Sequence, residues 1–237
     1  MPNILNGVYV YDFDDVLVNL ASLMYSNIRE NWRIYKKYFW DPGELTLEQI
    51  QERKFFYMNE WLINKKFIEL TSEEYAALQL KIRSQLFIET MFSQPNIYDN
   101  SEPTEFARKT LQNPLFLDSP NVSEVIILSR NVTEAQGESK QRFIAKYFNH
   151  PKIRTLMVKR KESKADALIN NNINFNVFVD DELPNIRDVA TKFRENLAGK
   201  EFIIPEYGYN REMPKELRFL IEENGGTITY YEPFKKP

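Results

Sequence analysis

Three short apolar runs in this 237-residue chain each end abruptly in polar residues that strand packing does not require: GVYVYDFDD at 7–15, SEVIILSRN at 123–131 and NVFVDDE at 176–182. Rich in Val, Ile, Tyr and Phe, they read as central strands of a parallel sheet covered on both faces. Between the second and third, EAQGESKQRFIAKYF carries Phe143, Ile144, Tyr147 and Phe148 at helical spacing. IRTLMVK then reads as a fourth strand and SKADALINN as a short helix. Strand, helix, strand, helix, strand is the pattern of right-handed crossovers that builds a doubly wound, mainly parallel α/β sheet. Further on, LPNIRDVATKFRENLAG reads as a helix stopped at Gly199, KEFIIP as a strand, MPKELRFLIEENGG as a helix and TITYYEPF as a last strand. The functional crevice of such sheets lies outside the carboxyl ends of the strands, so the three polar endings should converge there.

Residues 20–100 differ in kind. Met24, Ile28, Trp32, Tyr35 and Phe39 follow helical steps, and LTSEEYAALQLKIRSQLFIETMF repeats the pattern behind a Thr or Ser cap. With no convincing strand, the stretch reads as an all-helical insertion, leaving 1–19 and 101–237 as the α/β core. The aromatic stripe reads as the insertion's own core, and Arg29, Arg33, Lys36 and Lys37 as its solvated face. SEPTEFARKTLQ at 101–112 returns to the core as a helix, and NPLFLDSPN as a loop; NNNINFN at 170–176 reads as a helix-ending turn.

Composition limits the chemistry. Cysteine is absent and His150 is the single histidine, which excludes disulfides, thiolate zinc sites and a cysteine nucleophile, and leaves a histidine triad without material. His150, before a proline in FNHPKI, reads as a loop residue. A net charge of −3 argues against a chain-wide nucleic-acid footprint. Without a basic leader or a long apolar run, the expectation is a soluble cytoplasmic protein with no membrane partner. Nothing in the sequence sets its oligomeric state.

Side chains alternate along a strand, so a regular strand would project Asp12 and Asp14 to one side, as two carboxylates near one centre. Asp180 and Asp181 arrive on another strand end. Like charges so gathered are tolerable around a hard divalent cation, and carboxylates without His or Cys point to Mg²⁺. One carboxylate can then act as a nucleophile and a second can shuttle protons. Phosphoryl transfer also needs donors and positive charge, which Ser129 and a lysine of KRKESK can provide.

These residues resemble the haloacid-dehalogenase-like (HAD) superfamily, whose four motifs occur in order as VYVYDFDDVL, VIILSRN, ESKADAL and VFVDD. The resemblance covers roughly 7–20 and 101–200 and leaves the sequence of the insertion outside it. It implies Asp12 as nucleophile, Asp14 as general acid/base, and Ser129 and Lys164 as phosphate-binding groups. Lys159, Arg160 and Lys161 lie close by, and Lys164 is preferred because it opens the helix before the fourth motif. The Mg²⁺ implied would be held by the Asp12 carboxylate, the Asp14 carbonyl and Asp180, with Asp181 helping. The acid at Asp14 favours phosphate chemistry over halide displacement, because the family's dehalogenases lack it. Asp15 stands where the family commonly has glycine, and Val16 where it commonly has threonine; Asp15 has no role legible in the sequence.

An insertion after the first motif is where the family's first cap class carries a helical lid. The implied activity is therefore a Mg²⁺-dependent phosphatase hydrolysing a small phosphomonoester through a phospho-Asp12 intermediate. Arg130, beside Ser129, is loosely similar to an arginine of members acting on nucleotides or nucleic-acid ends and is a further candidate phosphate ligand. The alternatives are such a nucleotide or nucleic-acid-end phosphatase, and a non-catalytic binding or scaffold protein on the same fold.

Overall fold

The computed structural model describes residues 5–39, 41, 43, 45–54, 71–159 and 162–231. Its centre is a six-stranded sheet, β1 (Gly7–Asp12), β2 (Val122–Arg130), β3 (Ile153–Val158), β4 (Val177–Val179), β5 (Glu201–Pro205) and β6 (Thr227–Tyr231). Every pairing is parallel and the spatial order is β3-β2-β1-β4-β5-β6. All six strands read from the sequence are present. The order reverses direction at β1, which pairs with β2 on one side and β4 on the other, so the switch-point crevice opens where β1, β2 and β4 end.

Both faces of the sheet are buried, which is why its strands are continuously apolar. Tyr9, Tyr11, Ile127 and Val179 pack on one side with Phe106 and Phe143, while Val10, Ile126, Phe178 and Phe202 pack on the other with Leu168, Ile186 and Leu217. The crossover helices are α7 (Glu134–Tyr147), α8 (Lys164–Asn170), α9 (Leu183–Lys192) and α10 (Lys215–Glu222). α7 starts at a Thr133 cap and α8 at a Ser163 cap, whose hydroxyls accept the backbone N–H of Gln136 and Asp166.

Between β1 and β2 the described residues form α1 (Leu20–Glu30), α2 (Trp32–Tyr35), α3 (Leu47–Gln51), α4 (Ser72–Lys81), α5 (Glu105–Lys109) and α6 (Pro114–Leu117). Met24, Ile28, Tyr35 and Phe39 are buried with Ile82, Phe87, Met91 and Phe92, and Trp32 packs at the edge. The aromatic stripe is therefore the core of the insertion, and Arg29, paired with Asp41 at 2.8 Å, lies on its wet face. The middle of the helical reading, 55–70, lies outside the described residues. Beyond α4 the helix widens into π turns at Ile82–Leu86 and Ile88–Phe92, where the sequence periodicity implies a regular α-helix. There the Thr90 hydroxyl meets the Tyr35 hydroxyl at 2.6 Å and accepts from Asn27 Nδ2 at 3.0 Å. NPLFLDSPN, read as a loop, contains the single turn of α6 because Asn113 caps it, Pro114 opens it, and Phe116 and Leu117 are buried.

The start of β1 is set by one glycine. Gly7 has φ +136°, and a Cβ there would lie 1.8 Å from Asn176 Oδ1, the atom that accepts the Val8 N–H at 3.0 Å. Gly7→Ala is expected to lower stability by about 2–4 kcal/mol through backbone strain and overpacking, measured as a shift in denaturant midpoint at constant m. Among the described residues no helix is long and apolar enough to cross a membrane.

Candidate active site

β1 ends at Asp12, two residues short of the Asp14 that the alternation argument needs. Asp14 lies in the following turn, joined to Val18 by an isolated bridge. The strand therefore carries Asp12 and the turn carries Asp14, so a continuing strand is not what positions the second aspartate. That turn places Asp15 at φ +53°, in the left-handed region where glycine is at ease and aspartate is among the tolerated residues.

Among the described residues the Asp15 carboxylate meets Ala21 and Arg53. Its Oδ1 accepts the Ala21 N–H in the first turn of α1 at 3.2 Å, and its Oδ2 pairs with Arg53 Nη2 at 3.3 Å, both side chains buried. The Arg53 guanidinium lies 4.8 Å from the Tyr209 ring centre and 5.9 Å from that of Tyr207. The Tyr207 hydroxyl donates to the Asp15 carbonyl at 2.5 Å, and the Tyr209 hydroxyl donates to Asp181 Oδ2 at 2.5 Å. The helical insertion is therefore in contact with the turn after β1 and the loop after β5. Gly208 fits beneath it because a Cβ there would lie 2.3 Å from the Glu52 carbonyl oxygen.

The carboxylates of Asp12, Asp180 and Asp181 are buried, and one oxygen of each lies within 4.8 Å of the others. The Lys164 ammonium bridges Asp12 Oδ1 at 2.7 Å and Asp180 Oδ2 at 2.6 Å. Asp180 also accepts the Glu182 N–H at 2.9 Å and the Asn185 amide at 3.2 Å, so its orientation is fixed. Of the competing basic residues, Lys159 is exposed, and Arg160 and Lys161 lie outside the described residues. Ser129 is completely buried at the end of β2. Arg130 Nη2 donates to the Glu162 carbonyl at 2.7 Å, in the loop leading to α8, and its charge acts on Glu182.

Asp14 stands in a second network, 23 % exposed at its side chain. Lys140, with no exposed surface, puts its Nζ 2.5 Å from Asp14 Oδ2, 2.9 Å from Ser129 Oγ and 2.9 Å from the Arg130 carbonyl. The Tyr98 hydroxyl donates to Asp14 Oδ1 at 2.7 Å and accepts from Gln136 Nε2 at 3.0 Å. The sequence reading missed Lys140, Tyr98, Gln136, Arg53 and Tyr209. A signal existed for two of them: Gln136 and Lys140 fall on the helical face of Phe143 and Ile144, where polar residues in an apolar stripe mark a buried network.

The donor set suits a divalent cation. Asp12, Asp14, Asp15, Asp180, Asp181 and Glu182 act on one another electrostatically, and among the described residues the buried cations that meet them are Lys140, Lys164 and Arg53. Burial pushes Asp12 up to about 7; Lys164 opposes this, while Asp180 and Asp14 reinforce it. Asp181 is pushed well up by burial, then by Asp15, Asp180 and Asp12, and Glu182 rises to about 7 through burial and Asp180, against the pull of Lys164. Burial disfavours the Lys164 ammonium, but Asp12, Asp180 and Glu182 outweigh that and raise its pKa. A buried cluster of carboxylates of this kind, offering oxygen donors alone, fits Mg²⁺.

A pH dependence follows. Folded Asp12 and Glu182 keep protons up to about pH 7 that the unfolded chain releases near pH 4. The folded state binds more protons across that window, so the metal-free protein is expected to lose stability as pH rises from about 4 to about 7. Because ligands must be deprotonated, added Mg²⁺ should raise Tm more at pH 8 than at pH 5. Thermal melts in EDTA and in Mg²⁺ test this, and an equal Mg²⁺ shift at both pH values contradicts it.

No protein-family model matches the chain, and neither does any curated protein. Among solved structures it is similar to a haloacid dehalogenase-like hydrolase of Burkholderia xenovorans LB400, at 16 % identity and TM-score 0.43, covering 92 % of this chain and 96 % of that one. A haloacid dehalogenase-like family hydrolase of Xanthomonas campestris aligns at 16 % identity and TM-score 0.43, covering 93 % and 94 %. A protein assigned as a β-phosphoglucomutase of Bacteroides vulgatus aligns at 13 % and 0.42, covering 98 % and 86 %. These are distant likenesses, and the chemistry follows from the chain's own residues.

Proposed function

We propose that this chain is a Mg²⁺-dependent phosphohydrolase of the HAD type, acting on a small phosphomonoester through a phospho-Asp12 intermediate. The observation that carries the reading is the buried Asp12, Asp180 and Asp181 cluster, bridged by Lys164, at the ends of β1 and β4. The reading is supported by Asp12, Lys164 and Asp180, which come from three separate points of the sequence and are in contact there, while Ser129 is linked to Asp14 through Lys140.

In the first half-reaction an Asp12 carboxylate oxygen forms a bond to phosphorus as the bond to the leaving oxygen breaks, and Asp14 gives that oxygen its proton. In the second, water attacks the phosphoryl group, Asp14 takes the water's proton, and phosphate leaves with Asp12 restored. Lys164 orients the Asp12 carboxylate through Oδ1 and, with the Ser129 hydroxyl, binds the phosphoryl oxygens. A Mg²⁺ ion held by Asp12, the Asp14 carbonyl and Asp180, with Asp181, would supply the positive charge that screens nucleophile from phosphate. The helical insertion serves as a lid that excludes water and contacts the leaving group; the approach of Arg53 to Asp15 supports that placement.

The test is turnover by the wild-type chain of p-nitrophenyl phosphate, sugar phosphates, mononucleotides and a 5′-phosphorylated oligonucleotide, with Mg²⁺ and with EDTA. Expected is Mg²⁺-dependent release of phosphate, with small monoesters preferred to the oligonucleotide. Preference for the oligonucleotide would point to nucleic-acid ends, and no turnover of any ester would overturn the enzymatic reading.

A further inference from the structure

We propose that Lys140 is a positioning residue that holds Asp14 and Ser129 as one unit and commits the Ser129 hydroxyl to donate to the phosphoryl group; this rests on the phosphohydrolase reading. An ammonium has three donors and no acceptor. At Lys140 all three have protein partners, Asp14 Oδ2 at 2.5 Å, Ser129 Oγ at 2.9 Å and the Arg130 carbonyl at 2.9 Å, and the side chain has no contact with solvent. Burying a charge this deeply is costly unless it is paired and its donors are used, and the cost is met here by one carboxylate and two fixed oxygens.

The consequence for Ser129 is directional. Its Oγ accepts from the ammonium, so its own proton is committed to a different acceptor. A phosphoryl oxygen arriving at the end of β2 is such an acceptor. The consequence for Asp14 is positional. Both its oxygens are held, Oδ2 by Lys140 and Oδ1 by the Tyr98 hydroxyl at 2.7 Å, so the carboxylate has one orientation from which to exchange a proton with the leaving group or water.

The support is rigid. Gln136, Ser139 and Lys140 share the buried face of α7: Gln136 donates to the Tyr98 hydroxyl at 3.0 Å, and the Ser139 hydroxyl accepts the Tyr98 N–H at 3.0 Å. The Phe13 ring centre lies 5.1 Å from the Lys140 Nζ, closing the apolar side. Phe13 separates Asp12 from Asp14 in sequence, so the same lysine packs against the turn that carries both.

Lys140→Met keeps length and apolar packing while removing the donors. The kcat for p-nitrophenyl phosphate is expected to fall about 10²-fold, the scale of a misplacement near 1 Å. Binding of inorganic phosphate, measured by calorimetry with and without Mg²⁺, is expected to weaken about tenfold. In an Asp14→Asn background the same substitution should lower kcat by less than about threefold, since residues acting as a unit are non-additive. A merely structural lysine would give the full loss in both backgrounds, and that result overturns the proposal. If Lys140→Met fails to fold, Lys140→Arg carries the test: at least a tenfold loss of kcat with folding retained supports the role, and wild-type kcat overturns it. An active wild type with unchanged phosphate affinity and kcat in Lys140→Met removes this inference alone. A wild type that neither hydrolyses esters nor binds phosphate removes it together with the phosphohydrolase reading.

Discussion

Asp12→Asn is expected to lower phosphomonoester hydrolysis by about 10⁴-fold or more, the scale on which covalent catalysis fails when its nucleophile is removed. An amide has nearly the volume of the carboxylate, so the packing at the end of β1 stays intact. Only the charge facing Lys164 and the attacking oxygen are lost. Steady-state hydrolysis of p-nitrophenyl phosphate beside a circular-dichroism melt separates the two: loss of turnover with a native spectrum is the expected pattern. Turnover within about tenfold of wild type would remove Asp12 as the nucleophile.

Lys164→Met is expected to have the largest effect on stability, a loss of about 3–5 kcal/mol in the metal-free protein. Lys164 is buried between two buried carboxylates at 2.7 and 2.6 Å, and its removal leaves both without that cation. The Asp12 carboxyl then keeps its proton to still higher pH, because the charge opposing burial is gone. The loss is read from denaturant midpoints in EDTA, and Mg²⁺ is expected to recover part of it by supplying positive charge to the same oxygens. A midpoint equal to wild type in EDTA would show that Lys164 does not carry the charge balance of the cluster.

Much of this site was legible along the chain because its motif residues sit where a local pattern changes. Asp12 and Ser129 lie at the ends of apolar strands, Asp180 directly follows one, and Lys164 is the first residue of α8 behind its Ser163 cap. The strands themselves were legible because a sheet covered on both faces selects continuous apolar runs. The π turns were not, since widening a helix by one residue per turn leaves composition unchanged. Asp15 shows the limit most clearly. Its φ of +53° and its Arg53 partner, 38 residues on, explain a buried carboxylate that from sequence alone had no role.

By itself the sequence determined the class of fold, that the described part of the insertion is built of helices and turns without strands, and which carboxylates stand at strand ends. Those properties depend on neighbours within a few residues, through side-chain period, capping and turn chemistry. The tertiary structure decided the strand order, and with it the crevice between β2, β1 and β4 where those carboxylates meet. It also decided the supporting shell: Lys140 reaches Asp14 across 126 positions, Tyr98 reaches it across 84, and Tyr207 reaches Asp15 across 192. A lysine on a helix becomes a buried ion only when the sheet carries that helix against an aspartate. A pairing at such separation leaves no period in the chain.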